Sequence, residues 1–409
     1  MLVYGRRKTG KTFLLKRYLD WDIYVTVGRG GFCIVEYKGG RMETFSLSKG
    51  FKDALNRVVE GMVVVVDEFQ RAPEWLWDYI AVLRHKASGR LVLCGSSLSV
   101  ARRVFDRRSP LLGLFAPVKI DVITPADAIY SLSRKLRPRE AVLWALLARD
   151  PWILGLIEPS GDPIQALARS HRMLSASTVG LIGEVFEEEE RKLTRLYDAV
   201  LRLLADGYWS SRDMAQKLFE AGLLERPEAG VATGLLNQMV ELGLVEKIPL
   251  WRTRGARVYY RHRSNLVSLL LYMDEKYGEA GIEPRLEPLS AKLGLELQFF
   301  IGELLASYRR LQRAYTVAKP VGDIDVILLD KDKPIIGYEV KIGEIGRSEA
   351  RKTLERMRRY GIPRTGLVSL TEKPPEVADE SLGPQEIVEI AEKTFHILRQ
   401  NIPLTRTTK

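Results

Sequence analysis

The segment Gly5–Thr12 has the sequence Gly-Arg-Arg-Lys-Thr-Gly-Lys-Thr, which follows the pattern GxxxxGK[ST]. Apolar residues 2–4 precede it as a predicted short strand, and residues 13–19 follow it as a predicted helix. Glycines in such a loop let backbone N–H groups point toward phosphate oxygens, and the helix N-terminus adds a partial positive charge. The segment therefore predicts a nucleotide-phosphate site inside an α/β domain.

Two side chains of this loop have specific predicted roles. Lys11 is expected to reach the β- and γ-phosphates, and Thr12 is expected to offer its hydroxyl to Mg²⁺. ATP and Mg²⁺ are therefore the expected cofactors, and ATP hydrolysis is the expected reaction. The expected nucleotide-binding residues of the loop are Gly5, Arg6, Arg7, Lys8, Thr9, Gly10, Lys11 and Thr12.

The apolar run 62–66 is followed by Asp67 and Glu68. Such a run is typical of a strand that is buried on both faces. At its carboxyl end Asp67 is expected to hold Mg²⁺ through water, and Glu68 is expected to polarise the attacking water. The alternative is an ordinary buried strand that ends in two carboxylates.

A second apolar run, residues 91–94, leads into Gly95-Ser96-Ser97. A polar side chain here is expected to lie between the two acids and contact the γ-phosphate, and Ser96 or Ser97 fits that position. A further strand is expected at 118–122. Strands that alternate with helices predict a parallel sheet with ligands at the carboxyl ends of the strands.

These segments resemble the archaeal ATPases of the AAA+/STAND group, through GRRKTGKT, VVVVDEFQ, LVLCGSS and the later SPLLG (Ser109–Gly113). In that family an arginine usually follows the SPL-x-G motif, whereas Leu114 stands there in this chain. The resemblance leaves Arg107 and Arg108 as candidates for an arginine finger. It also places residues 149–152 at the lid motif of the family, although the sequence of that motif is not intact.

The 409 residues are basic overall, with a net charge of +11 and a pI near 9.5. A basic surplus favours an acidic partner, and DNA is the expected one. The alternative is a charge-rich thermophilic surface that happens to be basic. The length predicts several domains.

Cysteine and histidine usage excludes two kinds of stabilising site. Cys33 and Cys94 are far apart in sequence, and the four histidines are scattered. Neither a disulfide framework nor a structural zinc site is expected. No apolar run is long enough for a membrane span, and the N-terminus does not resemble a signal peptide. The expected location is cytoplasmic, without a membrane partner.

The middle of the chain predicts two helical regions. Residues 124–190 have a helical pattern and are interpreted as a lid on the ATPase core. Residues 191–270 predict three short helices followed by a basic β-hairpin that turns at Gly255, which is the order of a winged helix-turn-helix. Such a module binds DNA in many proteins and serves as a protein-binding module in others, so both alternatives stay open.

The predicted winged helix offers two groups of DNA-binding candidates. Arginines in the hairpin are expected to lie along phosphates, and polar residues of the third helix are expected to face a groove. These candidates are Arg252, Arg254, Arg257, Thr233, Asn237 and Gln238.

The C-terminal part predicts a helix over 290–312 and a hairpin formed by strands at 321–329 and 335–341. Asp325 on one strand and Glu339 with Lys341 on the other resemble the PD-(D/E)XK nuclease pattern. Asp325 and Glu339 are expected to bind Mg²⁺, and Lys341 is expected to orient water or stabilise developing charge. The alternative is a degenerate domain that binds DNA or protein without cleavage.

Many such nucleases place another glutamate on the preceding helix. Gln298 stands at that position here, and Glu296 or Glu303 is an alternative if the helix phase allows it. The archaeal ATPase family has a C-terminal domain of unknown function that resembles this nuclease fold, so the resemblance extends over nearly the whole chain.

The sequence therefore predicts a multidomain protein with an α/β P-loop NTPase core and helical lid, a winged helix-turn-helix, and an α/β nuclease-like C-terminal domain. The expected ranges are 1–123 for the core, 124–190 for the lid, 191–270 for the winged helix and 285–400 for the nuclease-like domain. The first functional hypothesis is ATP-dependent DNA processing or defence. The alternatives are a nucleotide-switched DNA-binding regulator and a signalling scaffold, with homo-oligomer formation or a protein partner left open.

Overall fold

The computed structural model divides the chain into two units. It describes residues 1–188, 194–253, 255, 257–278, 284–317 and 323–400. Among these, the first unit contains residues within 1–121, 180–193 and 241–243, and the second contains residues within 122–179, 194–240 and 244–409. The four functional ranges drawn from the sequence stay a prediction. No helix in the described ranges is both long and apolar enough to cross a lipid bilayer.

The first unit is built from alternating strands and helices. Its elements are β1 (Leu2–Tyr4), α1 (Lys11–Tyr18), β2 (Ile23–Val27), β3 (Phe32–Tyr37), β4 (Met42–Ser46), α2 (Leu47–Val59), β5 (Val63–Asp67), α3 (Trp75–Leu83), β6 (Arg90–Gly95), α4 (Leu98–Val104) and β7 (Pro117–Lys119). The strands form one sheet in the order β4-β3-β2-β5-β6-β1-β7.

Most of this sheet is parallel, as the sequence predicts. β1 pairs in parallel with β6 and β7, and β5 pairs in parallel with β2 and β6. β3 and β4 add an antiparallel edge that the sequence analysis did not anticipate. The predicted strand at 118–122 is present as β7, which begins one residue earlier and ends three residues earlier than predicted.

The run of valines in β5 is explained by apolar side chains that pack against both faces of the sheet. Val64 and Val66 join the apolar cluster that contains Phe51 of α2, whereas Val65 joins the cluster that contains Leu15 of α1. Side chains alternate along a strand, so Asp67 points to the same face as Val65. The strand therefore delivers the Asp67 carboxylate to the face on which α1 lies.

The remaining elements begin with helices and end in a second α/β layer. They are α5 (Pro125–Ser133), α6 (Pro138–Ala148), α7 (Pro163–Glu188), α8 (Arg195–Ala205), α9 (Ser211–Glu220), α10 (Ala229–Glu241), β8 (Val245–Pro249), β9 (Val258–His262), α11 (Asn265–Met273), α12 (Leu286–Arg309), β10 (Gln312–Thr316), β11 (Ile324–Asp330), β12 (Lys333–Lys341), α13 (Arg347–Arg359), β13 (Thr365–Ser369), β14 (Glu380–Leu382) and α14 (Pro384–Gln400).

The second unit has a sheet in the order β10-β11-β12-β13-β14. β10, β11 and β12 are antiparallel, and β12, β13 and β14 are parallel. The predicted hairpin is present, with Asp330 paired to Lys333 across the turn. The predicted first residues of its first strand, Val321 and Gly322, lie outside the described residues.

Helices α5 and α6 bury their apolar faces within the second unit. Ile129 of α5 and Trp144 of α6 belong to one hydrophobic cluster with Phe300 of α12 and Tyr338 of β12. The sequence predicts these helices as a lid on the ATPase core. The structure places them in the same core as the C-terminal sheet, because α6 is apolar around most of its circumference and needs cover on several sides.

Candidate functional site

The phosphate loop connects the end of β1 to the start of α1, as predicted. Gly5 has a φ of +151°, and a Cβ there would lie 1.8 Å from the carbonyl oxygen of Ile120. Gly10 has a φ of +88° and caps α1. Both positions require glycine, the first because of a close backbone approach and the second because of a left-handed conformation.

Lys11 is held inside the curl of this loop. Its Nζ donates to the carbonyl oxygens of Gly5 at 2.8 Å and Arg6 at 2.7 Å. The Thr9 hydroxyl donates to the same Arg6 oxygen at 2.8 Å. The ammonium group and the N-terminus of α1 therefore concentrate positive charge at one point, which suits a phosphate.

Asp67 connects the end of β5 to the phosphate loop. Its Oδ2 accepts hydrogen bonds from the Thr12 hydroxyl at 2.7 Å and from the Tyr24 phenol at 2.6 Å. Its Oδ1 accepts the backbone N–H of Glu68 at 2.9 Å. Burial, and then the adjacent Asp67 carboxylate, raises the pKa of the Tyr24 phenol, so Tyr24 acts as a neutral donor.

Glu68 adopts a left-handed backbone conformation with a φ of 58°. Its Oε2 accepts from Gln70 Nε2 at 2.7 Å and forms an ion pair with Arg71 at 2.9 Å. Gln70 also reaches Ser96, because its Nε2 donates to the Ser96 hydroxyl at 3.0 Å and its Oε1 accepts the Ser96 N–H at 3.3 Å. Gln70 thus joins Glu68, which the sequence predicts to polarise the attacking water, to Ser96, which it predicts beside the γ-phosphate.

These side chains border a cavity of about 260 Å³. Its lining combines basic, acidic and hydroxyl groups, which is the chemistry of a magnesium-nucleotide site. The lining residues are Arg7, Lys8, Gly10, Lys11, Thr12, Phe13, Asp67, Glu68 and Ser96. The structure therefore brings the loop, the two acids and Ser96 together. Arg7 in addition pairs with Glu184 of α7 at 2.7 Å.

Three residues of this site were not anticipated from the sequence. Tyr24 belongs to β2, a strand that the sequence analysis did not propose, and its phenol reaches Asp67 from the neighbouring strand. Gln70 and Arg71 come two and three positions after Glu68 in the sequence. This closeness along the chain is the feature from which their place in the site could have been predicted. Arg71 also donates to the carbonyl oxygen of Val27 at the end of β2, which ties this turn to the sheet.

The predicted third helix of the DNA-binding candidate is α10, and its polar candidates have partners within this region. The Thr233 hydroxyl donates to the Ala229 carbonyl at 2.8 Å. Asn237 Oδ1 accepts from the Tyr260 hydroxyl at 3.4 Å, and Gln238 Oε1 accepts from the Tyr197 hydroxyl. For these two oxygen atoms to contact DNA bases, their hydrogen bonds with the tyrosine hydroxyls must first break.

The predicted hairpin consists of β8 and β9, which pair in an antiparallel arrangement. Its turn residue Gly255 has a φ of +78°, as a turn position there requires. Arg257 is exposed, whereas Arg252 donates from Nη1 to the Tyr360 carbonyl at 2.9 Å. Arg254 lies outside the described residues.

The C-terminal acids are cross-strand neighbours. Val326 of β11 pairs with Tyr338 of β12, so Asp325 and Glu339 follow as the next pair. Asp325 is buried, and its Oδ2 accepts the Val340 N–H at 2.8 Å. Burial, and then the Glu339 carboxylate, raises the pKa of Asp325 well above its usual range. A buried carboxylate and a half-buried carboxylate that repel each other form a position that a divalent cation can stabilise.

Helix α13 supplies a partner for each of the other two candidate catalytic groups. Arg356 Nη2 contacts Glu339 Oε2 at 2.9 Å, and Lys341 pairs with Glu349. Burial raises the pKa of Glu339, while Arg356 and Lys341 act in the opposite direction. The described residues contain no group of three or more His, Cys, Asp or Glu side chains arranged to hold a metal ion.

The two acidic alternatives on α12 point elsewhere. Glu296 contacts Arg261 at 2.5 Å and Lys292 at 3.1 Å, and Glu303 contacts Arg149 at 2.7 Å. Helix phase therefore directs both carboxylates to a network of ion pairs. Local sequence patterns do not predict this network, because its members are distant in sequence.

The described network extends through the second unit. Glu246 of β8 contacts Arg261 at 2.7 Å, Arg313 at 3.1 Å and Arg263 at 3.2 Å. Burial alone would raise the pKa of Glu296, but Lys292 and Arg261 outweigh it and lower that pKa to about 2. Residues 149–152, which the family resemblance placed at a lid motif, thus contribute a buried structural cation through Arg149.

Comparison with known proteins identifies one family model. Residues 1–109 match the family described as AAA domain. A comparison with curated proteins finds no match. The match covers the phosphate loop, Asp67, Glu68 and Ser96.

Three solved structures show weak overall similarity. The Aeropyrum pernix ORC2 protein in ADPNP-ADP complexes is 14% identical, with a TM-score of 0.38 over 73% of this chain and 88% of that chain. The Aeropyrum pernix ORC1 protein in complex with DNA is 15% identical, with a TM-score of 0.31 over 69% and 88%. Cdc6p from Pyrobaculum aerophilum is 16% identical, with a TM-score of 0.25 over 68% and 87%. TM-scores this low do not establish a common overall fold.

The family match and the geometry of the loop agree on the N-terminal part of the chain. Two constrained glycines, a lysine directed into the loop and a hydroxyl–carboxylate contact fit the nucleotide-phosphate site that the sequence predicts. Residues 1–109 therefore support a P-loop ATPase of the AAA domain type.

Proposed function

We propose that the first unit binds ATP with Mg²⁺ and hydrolyses it. The hydrogen bond of 2.7 Å between the Thr12 hydroxyl and Asp67 carries this proposal, because it puts the two expected magnesium-binding groups together. Bound Mg²⁺ would neutralise charge on the phosphates. Lys11 would bind phosphate oxygens, and Glu68 would orient the attacking water. Gln70 would hold the Glu68 carboxylate and the Ser96 hydroxyl in fixed positions relative to each other.

ATP binding and turnover by the full chain test this proposal. Lys11→Ala should abolish ATP binding, and Glu68→Gln should retain binding but stop hydrolysis. Arg17→Ala is the matched control, because Arg17 lies on the same helix at an exposed position. Normal turnover by Glu68→Gln would remove Glu68 from the catalytic role.

We further propose that the second unit engages DNA. Three helices and an antiparallel pair of strands, α8 to β9, stand in the order of a winged helix. The net charge of +11 favours a polyanionic partner. Arg252, Arg254 and Arg257 would contact phosphates, and Thr233, Asn237 and Gln238 would face the groove.

Salt-dependent binding of a DNA duplex tests this part of the proposal. Affinity should fall steeply with salt, and Arg257→Ala should weaken binding and reduce the salt slope by about one. Arg29→Ala, at an exposed site of the first unit, is the control. Affinity that does not depend on salt would favour the alternative of a protein-binding scaffold.

ATP turnover with and without duplex DNA tests whether the two activities belong to one function. Turnover that DNA stimulates in the wild type, and that Lys11→Ala removes, would support ATP-dependent DNA processing. ATP binding without turnover in either condition would favour a nucleotide-switched regulator or a missing partner.

We also propose that β11 and β12 provide a nuclease-like site. Asp325 and Glu339 would hold Mg²⁺, and Lys341 would orient water or stabilise developing charge. Their cross-strand placement supports this assignment. Plasmid incubated with Mg²⁺ or Mn²⁺ should be cut by the wild type and not by Lys341→Ala. Cutting that survives this substitution would remove the site, and no cutting by either protein would favour the regulator.

A further inference from the structure

A groove of about 700 Å³ lies between β12 and α13 and combines acidic and basic side chains. Glu339 contributes its carboxylate, and α13 contributes the basic residues Lys352, Arg356 and Arg359 together with the acids Glu349 and Glu355. These three basic residues are four and three positions apart, so they share one helix face. The three cations lie beside Glu339, whose cross-strand neighbour is the buried Asp325, and this arrangement suits a ligand that has both a metal ion and phosphate groups.

The acid pair by itself offers few ligands for a metal ion. Within the described ranges, no third His, Cys, Asp or Glu side chain joins Asp325 and Glu339 to complete a metal cluster. Mg²⁺ is commonly bound through one or two carboxylates, with water and substrate phosphates as the other ligands. The donor set therefore fits a divalent cation whose coordination is completed by a phosphate group.

Arg356 opposes the binding of a metal ion by the acid pair. Its Nη2 lies 2.9 Å from Glu339 Oε2, and the two side chains are 24% and 14% exposed. A guanidinium at this distance neutralises the carboxylate that a metal ion would need. A cation and Arg356 therefore compete for Glu339.

Arg356 also has a donor that is not used. Its Nε is buried and has no hydrogen-bond partner among the described residues. A buried donor without a partner is costly, and an anion within reach would relieve that cost. A phosphate group between Arg356, Lys352 and Arg359 supplies such an acceptor and attracts the guanidinium away from Glu339.

We propose that Arg356 is an exchange residue that pairs with Glu339 in the free protein and with a backbone phosphate when DNA is bound. The inference rests on the proposed DNA engagement and nuclease-like site. Release of Glu339 by DNA then allows the acid pair to bind a divalent cation. DNA and metal ion therefore bind cooperatively, and by linkage each raises the affinity for the other by the same factor.

The experiment measures DNA affinity of the full chain with and without Mn²⁺. The probe is a fluorescently labelled DNA duplex followed by anisotropy, with recovered duplex checked for cleavage. In the wild type, Mn²⁺ should lower the Kd about tenfold. Glu339→Gln measures how much Mn²⁺ changes DNA affinity by screening the DNA charge alone. In this variant, Mn²⁺ should no longer lower the Kd. Arg356→Gln should weaken DNA binding and reduce the Mn²⁺ effect to about twofold or less.

Lys352→Gln is the matched control, because it removes one positive charge from the same face of α13 without a contact to Glu339 among the described ion pairs. It should weaken DNA binding equally with and without Mn²⁺. A second measurement follows free Mn²⁺ by electron paramagnetic resonance in the absence of DNA. Arg356→Gln should bind Mn²⁺ more tightly than the wild type, and Lys352→Gln should not.

The outcomes separate this inference from the function on which it rests. A wild type that fails to bind the duplex in either condition overturns both the DNA proposal and the exchange. A wild type that binds the duplex without any effect of Mn²⁺ overturns the exchange alone. The exchange is also overturned if Arg356→Gln retains the full Mn²⁺ effect, or if its Mn²⁺ affinity without DNA equals that of the wild type.

Discussion

Tyr24 donates its phenol to Oδ2 of Asp67 at 2.6 Å, from the strand next to the one that Asp67 ends. The same oxygen accepts the Thr12 hydroxyl at 2.7 Å. Two donors on different elements therefore fix the orientation of one carboxylate. Tyr24 positions Asp67, whereas Thr12 has the additional proposed role of binding Mg²⁺.

This difference predicts distinct effects for two substitutions. Thr12→Val should reduce Mg²⁺-dependent ATP affinity by roughly tenfold or more, because it removes a hydroxyl that contacts a charged group. Thr12→Ser should restore most of the affinity. Tyr24→Phe should lower the free energy of unfolding by about 1–3 kcal/mol and retain most of the Mg²⁺ dependence. Titration of labelled nucleotide with and without Mg²⁺ measures the effect, and equal affinities for Thr12→Val and Thr12→Ser would contradict it.

Gln70 predicts a turnover defect without a binding defect. Gln70→Leu removes the amide that connects Glu68 to Ser96. A misplaced catalytic acid can cost about 10²-fold in rate, so turnover should fall by roughly that factor while ATP affinity stays near that of the wild type. Steady-state ATP hydrolysis and equilibrium binding separate the two effects. Gln216→Leu, which alters an exposed contact with Glu220, is the control.

The buried ion network predicts a large stability loss from one isosteric change. Glu296→Gln removes the carboxylate that faces Arg261 and Lys292, with all three side chains less than one-tenth exposed. An unpaired buried charge typically costs about 3–5 kcal/mol, so the free energy of unfolding should fall by that amount. Urea unfolding measures the change. Glu220→Gln, at an exposed pair, should change stability far less, because solvent screens exposed charges, and equal effects for the two would contradict the network's role.

His262 predicts a pH dependence of stability. Burial lowers its pKa from 6.5 to about 4, and its Nε2–H donates to the Leu201 carbonyl at 2.8 Å. Between these pH values the unfolded chain binds more protons than the folded chain. The free energy of unfolding should therefore fall by about 3 kcal/mol as pH drops from 6.5 to 4, and be unaffected by this group above 6.5.

Substitution isolates this contribution from other titrating groups. His262→Gln should flatten the slope between pH 6.5 and pH 4, although it lowers stability throughout because the site is buried. His85→Gln, at an exposed position, should leave the slope unchanged. Chemical unfolding at several pH values measures both, and a slope that survives His262→Gln would exclude His262 as its source.

Local sequence patterns were sufficient to locate candidate site residues where a short motif adopts one backbone conformation. The loop 5–12, the acids at 67 and 68, and the hairpin that contains Asp325 and Glu339 are located by nearby residues. The antiparallel strands β3 and β4 were missed, and β4 is only partly buried and has no apolar run. Tyr24 was missed with β2, since its role depends on a neighbouring strand that comes later in the chain.

The sequence by itself determined the kind of chemistry, because glycine spacing and strand-end acids constrain the backbone locally. The sequence could not determine which polar and charged side chains contact each other in the folded chain. Only the tertiary structure placed Gln70 between Glu68 and Ser96, Glu296 against Arg261, and Arg356 against Glu339. Helix phase and strand order decide such contacts, and both depend on how distant apolar faces pack together.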